Sequence, residues 1–294
     1  MIGARTLATG ASLALLVSAV GFAPAAAEDV ATGETVAIPS ESYDIPGTFV
    51  LPRSEAGVVP AVLMLHGYGS SADEVGGMYA RLADALAAQG VGSLRIDFAG
   101  MGASEASTLE YTYDSMISDA AVALDWLVAQ DGVDPERIGV QGFSMGSTVG
   151  AHLVGTDDRP IAFGSWSGTI DDRGNMQPRD DELAACEATG EGHIEVDLGW
   201  RTIDHSCDFY TSWNTIMALT DFAPYAGALL LIAGSDDTSV PPSVSEDAAT
   251  ASASEDVTLE LIEGGDHIYQ VLTDDQTMAD SVIAMTADWY AEKL

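Results

Sequence analysis

Lysine is almost missing from this chain. Lys293 is the single one, and 10 Lys+Arg stand against 46 Asp+Glu in 294 residues, a formal net charge of −36. A surface so poor in cations repels nucleic acid and anionic membrane, which excludes both as partners. Cysteine is scarce too, with only Cys186 and Cys207. No phosphate-binding glycine loop and no dinucleotide fingerprint occurs, so no nucleotide cofactor is expected. His193, Glu195 and Asp197 alternate along the chain without zinc or calcium spacing, so no metal is expected; they read as a solvated strand face. Beyond the N-terminus no apolar run is long enough to span a bilayer. What is plentiful argues for a folded core: 47% of residues are hydrophobic and strongly periodic, unlike an acidic disordered chain. An acidic folded surface suits high salt, where counterions screen self-repulsion.

The N-terminus reads as an export signal. Arg5 precedes the apolar run Leu13 to Ala23, then Ala25-Ala26-Ala27, an A-x-A cleavage pattern before Glu28. The expectation is a signal peptide over 1–27, a mature domain over 28–294, and a periplasmic or secreted protein. An oxidising setting permits a Cys186–Cys207 disulfide.

The remaining chain alternates strands and helices. Apolar runs predict strands at Glu34–Ile38, Gly47–Leu51, Ala61–Leu65, Gly92–Ile96, Ile138–Val140, Ile161–Trp166, Ala228–Ala233 and Val257–Ile262. Helical spacing predicts Met78–Gln89, Tyr113–Gln130, a helix after Gly146, Ser243–Ala253 and Gln276–Glu292. In the second of these Ile117, Ala121, Leu124 and Val128 mark the expected buried face. This rhythm implies an α/β fold with a mostly parallel sheet covered on both faces. It breaks over 168–222, an acidic, turn-rich stretch that reads as a cap inserted after the sixth strand.

Arg137 to Gly150, RIGVQGFSMGSTVG, organises the chemistry. Ser144 lies in G-x-S-x-G between a strand and a helix, the pattern of a nucleophile elbow. A serine hydroxyl is a weak nucleophile and needs a base with an orienter. Two later strand ends offer them: Asp236 or Asp237 in GSDDTSVPP, and His267 in EGGDHIY. The elbow also supplies the backbone N–H of Met145 for a developing oxyanion.

These pieces resemble the α/β-hydrolases, and most of all the single-domain esterases of the dienelactone hydrolase and cinnamoyl (feruloyl) esterase groups. The matching segments are H-G-Y-G-S-S at His66, D-F-A-G-M-G-A-S at Asp97, G-F-S-M-G at Gly142, G-S-D-D-T-S-V-P at Gly234 and G-G-D-H at Gly264. Dienelactone hydrolases proper carry cysteine where this chain has Ser144. The resemblance implies an α/β-hydrolase fold and a small-molecule ester as substrate. It selects Asp237 as the acid and makes Tyr68 the second oxyanion donor. It gives His66 and Asp97 structural duties in their loops. Trp166, Trp200 and Trp213, with Phe209 and Tyr210, can line an acyl pocket or build the cap's small core. The expected activity is ester hydrolysis through Ser144, His267 and Asp237. An acyltransferase, a small serine peptidase or a silent binding protein on the same fold are the alternatives.

Overall fold

The computed structural model describes residues 33–53, 57–172 and 177–294. The signal segment expected over 1–27 lies outside the described residues. Eight strands form one sheet: β1 (Glu34–Pro39), β2 (Asp44–Val50), β3 (Val59–Leu65), β4 (Gly92–Ile96), β5 (Val133–Phe143), β6 (Pro160–Trp166), and, after an interruption, β9 (Ala228–Gly234) and β10 (Val257–Ile262). Their spatial order is β1-β2-β4-β3-β5-β6-β9-β10. Only β2 runs antiparallel to its neighbours; every pair from β4 to β10 is parallel. The chain therefore leaves each parallel strand at the same edge of the sheet, and the loops that follow gather there.

β3 explains why the sheet sits at the centre. All seven of its residues, VPAVLML, are buried, so both faces of the strand must meet protein. Val62 and Met64 point to the layer containing α1 (Met78–Ala88) and α8 (Thr277–Lys293). Ala61, Leu63 and Leu65 point to the layer with α2 (Tyr113–Val128) and α3 (Met145–Thr156). This is the period-2 alternation of a strand, used here to fill two cores. Fully burying such a leucine contributes about 1.5–3 kcal/mol. A further helix, α7 (Ser243–Ala251), connects β9 to β10.

Two expectations shift. The elbow strand begins well before Ile138: Val133 already pairs with Val59, and the register slips before Ala61 meets Ile138. In α2 the buried stripe is Met116, Ala120, Ala123, Leu124 and Leu127, while Ile117, Ala121 and Val128 are half-buried at its flank. The helix is apolar over more than half its circumference, so periodicity alone left its rotation uncertain by about one residue.

Between β6 and β9 the chain forms α4 (Asp180–Thr189), a separate hairpin of β7 (His193–Asp197) and β8 (Thr202–Ser206), α5 (Cys207–Thr215) and α6 (Ala218–Phe222). Cys186 on α4 is bonded to Cys207 at the start of α5. α6 packs with the sheet rather than with the cap: Phe222 is buried against Phe163 of β6, ring centroids 5.7 Å apart. At the other end of the sheet Lys293 pairs with Asp256, just before β10, at 2.8 Å. Among the described residues no helix is long and apolar enough to cross a membrane.

Candidate active site

The elbow is built on one strained residue. Ser144 has φ 51° and ψ −116°, a region that a side-chain-bearing residue adopts only when its surroundings hold it there. Here they do. Its N–H donates to the Trp166 carbonyl at 2.9 Å, and its own carbonyl accepts from Ser147 N at 3.0 Å and Thr169 N at 3.2 Å. The Thr169 hydroxyl adds a third bond to that carbonyl at 3.0 Å. Glycines make the close packing possible: a Cβ on Gly142 would strike the backbone of Ser147, and one on Gly146 the carbonyl oxygen of Leu65. α3 starts at Met145, so its first N–H groups have no partner within the helix and its positive end lies beside the serine.

Two further strand ends bring the partners. His267 Nε2 lies 3.1 Å from Ser144 Oγ, and His267 Nδ1 lies 2.7 Å from Asp237 Oδ2. The other Asp237 oxygen accepts from Ser239 N at 2.8 Å and Val240 N at 2.9 Å, and its side chain is fully buried. A carboxylate so fixed holds Nδ1 protonated and leaves Nε2 free to accept a proton from the serine. Asp236 is exposed, and its carboxylate accepts from its neighbour Ser235 Oγ at 3.2 Å. Of the two aspartates that the residue pattern left open, Asp237 meets the histidine.

The loop after β3 is held from beneath. Buried His66 donates from Nδ1 to the Gly67 carbonyl at 2.7 Å and accepts at Nε2 from Phe98 N at 3.2 Å. Burial keeps its imidazole below the ordinary histidine range, so this neutral tautomer persists. Asp97 caps the neighbouring loop, accepting from Ala72 N at 2.6 Å and Ala103 N at 3.0 Å. Two supports carried no sequence motif. Buried Glu74 accepts from Gly67 N at 2.6 Å, from Ser70 Oγ at 2.7 Å and from Val75 N at 2.7 Å. Buried Tyr111 accepts from Gly69 N at 3.2 Å and points its hydroxyl at Met145 Sδ, 3.4 Å away. It thus bridges the loop that carries Tyr68 and the helix that starts at Met145.

Ser144, His267, Tyr68 and Met145 all line one cavity of about 1170 Å³ between sheet and cap. The cap wall is apolar, with Ile194, Val196 and Leu198, and aromatic, with Phe209, Tyr210 and Trp213. Trp200, 70% exposed, stands at the mouth. Arg179 stacks over Trp213 at 4.6 Å and pairs with Glu182 at 3.0 Å. Trp166 is not in the wall. It is buried beneath the elbow, where Nε1 donates to Thr286 Oγ1 at 2.8 Å and the ring packs on Tyr79. Phe163 and Trp166 stand three residues apart on one strand and so face opposite sides, which turns Trp166 toward α8 and away from the substrate space. His152 lies on α3 and pairs with Asp221 at 2.8 Å. No cluster of three or more metal-ligating side chains occurs among the described residues.

Residues 60–162 match a family model described as alpha/beta hydrolase fold. An uncharacterised protein of Mycobacterium tuberculosis is 28% identical over 262 residues, which span 89% of this chain and 82% of the relative. The putative hydrolase YtaP of Bacillus subtilis is 31% identical over 134 residues, covering 39% of this chain and 45% of the relative. Among solved structures, Est1E from Butyrivibrio proteoclasticus with bound ferulic acid superposes with a TM-score of 0.71 at 19% identity, over 88% of this chain and 98% of that one. The family match takes in the elbow, the structural match covers most of the chain, and together they show that this chain has the α/β-hydrolase fold.

Proposed function

We propose that the protein is an exported serine hydrolase of carboxylic esters. The observation that carries this reading is the line of hydrogen bonds from Ser144 Oγ to His267 Nε2, at 3.1 Å, and from His267 Nδ1 to Asp237, at 2.7 Å. In the proposed reaction His267 takes the hydroxyl proton as Ser144 Oγ attacks the ester carbonyl carbon. Asp237 stabilises the imidazolium without itself taking the proton. The carbonyl oxygen becomes an oxyanion facing the N–H groups of Met145 and Tyr68. His267 then protonates the departing alkoxide, leaving an acyl-serine. Water, deprotonated by the same histidine, attacks that acyl group; the bond from the acyl carbon to Ser144 Oγ then breaks, His267 returns the proton to Oγ, and the acid leaves.

The cavity supports an apolar acyl group of medium length or an aromatic one, since its volume exceeds that of a small acyl pocket and its cap wall offers Ile194, Val196, Phe209 and Trp213. Ferulic acid in Est1E makes hydroxycinnamoyl esters a natural first class to try. The A-x-A pattern and the Cys186–Cys207 bond support export, and the charge of −36 supports service in high salt.

The test is a panel of nitrophenyl esters from acetate to octanoate, with methyl ferulate, at low and high NaCl. Wild type should turn over part of the panel, with a longer or aromatic acyl group preferred to acetate. Ser144→Ala should lower kcat by about 10⁴-fold or more. Tm should rise with NaCl. Ester turnover that persists in Ser144→Ala overturns the assignment of the nucleophile. A folded wild type without ester turnover points to peptide or acyl-transfer substrates, or to binding alone.

A further inference from the structure

The proposed donor Tyr68 belongs to a loop of the sheet, yet its side chain is gripped by the cap. Its hydroxyl shares a 2.5 Å hydrogen bond with His205 Nε2. His205 lies on β8, fully buried, and its Nδ1 has no hydrogen-bond partner among the described residues. The two rings lie nearly parallel, centroids 5.5 Å apart at 13°. His205 also stacks on Phe209 of α5 at 4.0 Å, and Phe209 lies 5.9 Å from the Tyr68 ring. Tyr111, which bridges to Met145, lies against the same stack, 6.3 Å from Tyr68 and 6.1 Å from Phe209.

The next residue is clamped by the same hairpin. The Gly69 carbonyl accepts from Arg201 Nη1 at 3.3 Å. A Cβ on Gly69 would lie 2.8 Å from Leu198 Cδ1 and 3.4 Å from Ile203 Cδ1. Arg201 belongs to the turn between β7 and β8. One face of β7 supplies Ile194 and Val196 to the cavity wall.

A buried imidazole with an unsatisfied nitrogen costs stability, so a plain packing role would be served better by an aromatic hydrocarbon. What the imidazole adds is a directional bond to a residue whose backbone faces the developing oxyanion. Both partners stay neutral across the working range: burial pushes the Tyr68 phenol up to about 12 and the His205 imidazole down to about 4.

Building on the ester-hydrolase reading, we propose that the β7–β8 hairpin is the positioning element of the oxyanion turn, with His205 acting through Tyr68. Seating of the cap and assembly of the donor pair are then one event. An acyl group that fills the space under Ile194 and Val196 holds the hairpin down and is felt in kcat, because it helps complete a structure used only by the transition state.

The experiment compares wild type, Tyr68→Phe, His205→Phe, their double variant and His205→Gln. Two readouts are the rate of Ser144 labelling by a fluorophosphonate and ester kcat and KM. Tyr68→Phe and His205→Phe keep the stacked rings and remove the bond. Each should slow labelling and kcat by about tenfold to a hundredfold, below the 10²–10³ of outright donor loss. KM should stay within about threefold, and the double variant should be no worse than either single, since both remove one shared bond. His205→Gln, which can still reach the phenol, should recover most of the rate. Wild-type rates in Tyr68→Phe and His205→Phe, while Ser144 labels and esters turn over normally, overturn the inference and leave the hydrolase reading intact. So does a loss matched in KM and in Tm, or additive in the double variant, which would mark a packing role. Absence of Ser144 labelling in wild type overturns both.

Discussion

The sheet and the cap are stabilised by different means. In the sheet, β3 buries all seven residues and two cores close on its faces. In the cap, α4 has ten residues and buries only Cys186, and no residue of β7 is fully buried. The cap cannot be held by area alone. It relies on the Cys186–Cys207 bond, on the rings around His205, and on a few directed contacts with the core, such as Tyr113 N donating to Ser212 Oγ at 3.1 Å. Burial gives the sheet the rigidity that holds Ser144 in its strained conformation. A thin, cross-linked cap has few buried contacts to lose when it shifts, and that is the condition for a wall that can adjust to what fills the cavity.

The sharpest way to break this division is at the rigid end. Asp237→Asn should cost about 10⁴-fold in kcat by offering His267 the wrong partner, while Asp236→Asn, on its exposed neighbour, should stay within about twofold of wild type on the same ester. Equal losses in the two would mean that the observed register is not the working one.

Next in size is stability. Leu63→Ala in the sheet should lower the unfolding free energy by about 2–5 kcal/mol, read by urea titration of whole-chain fluorescence. Replacing Cys186 and Cys207 by serine opens a loop with a sequence separation of 21, a constraint of about 3 kcal/mol on whichever unit it closes. If that unit is the cap, amide exchange should rise over α4, the hairpin and α5, with little change in the sheet. A uniform rise across the chain would show that the two regions unfold together.

The smallest effect is set by pH. Burial, assisted by Arg179 and opposed by Asp204, holds His205 at about 4, below its ordinary 6.5. A depressed imidazole favours folding above the unfolded value, and that stability is lost as pH falls from about 6.5 through about 4. The cap should therefore loosen over this window in wild type, and less in His205→Phe, as followed by near-ultraviolet circular dichroism.

How much of this the sequence disclosed follows the same boundary. The strands of the sheet were legible because runs such as Val-Leu-Met-Leu have no polar position at which to end. Ser144 and His267 were legible because an elbow and a strand-end histidine are local patterns. Choosing between Asp236 and Asp237 needed the family register, since adjacent aspartates differ only in where the backbone turns them. Glu74 and Tyr111 were missed: their partners, Gly67 and Met145, are 7 and 34 residues away, and no spacing announces such bonds. Trp166 serves neither the pocket nor the cap's core but packs beneath the sheet against α8, as its parity with Phe163 implies. In the cap, His205 could not be told from a solvated histidine, because its neighbours Asp204 and Ser206 are polar and its hydrogen-bond partner Tyr68 lies 137 residues earlier.

The lone Lys293 has a practical side. Asp256, its partner, precedes β10, and His267 follows that strand. A six-residue strand is about 20 Å long, so the only side-chain amine lies at the far end of the sheet from the cavity. Apart from the chain's own terminal amine, any amine-directed tether, dye or solid support attaches there. Molecules grafted through Lys293 would stand with their openings turned outward, in a common orientation that a lysine-rich surface does not give.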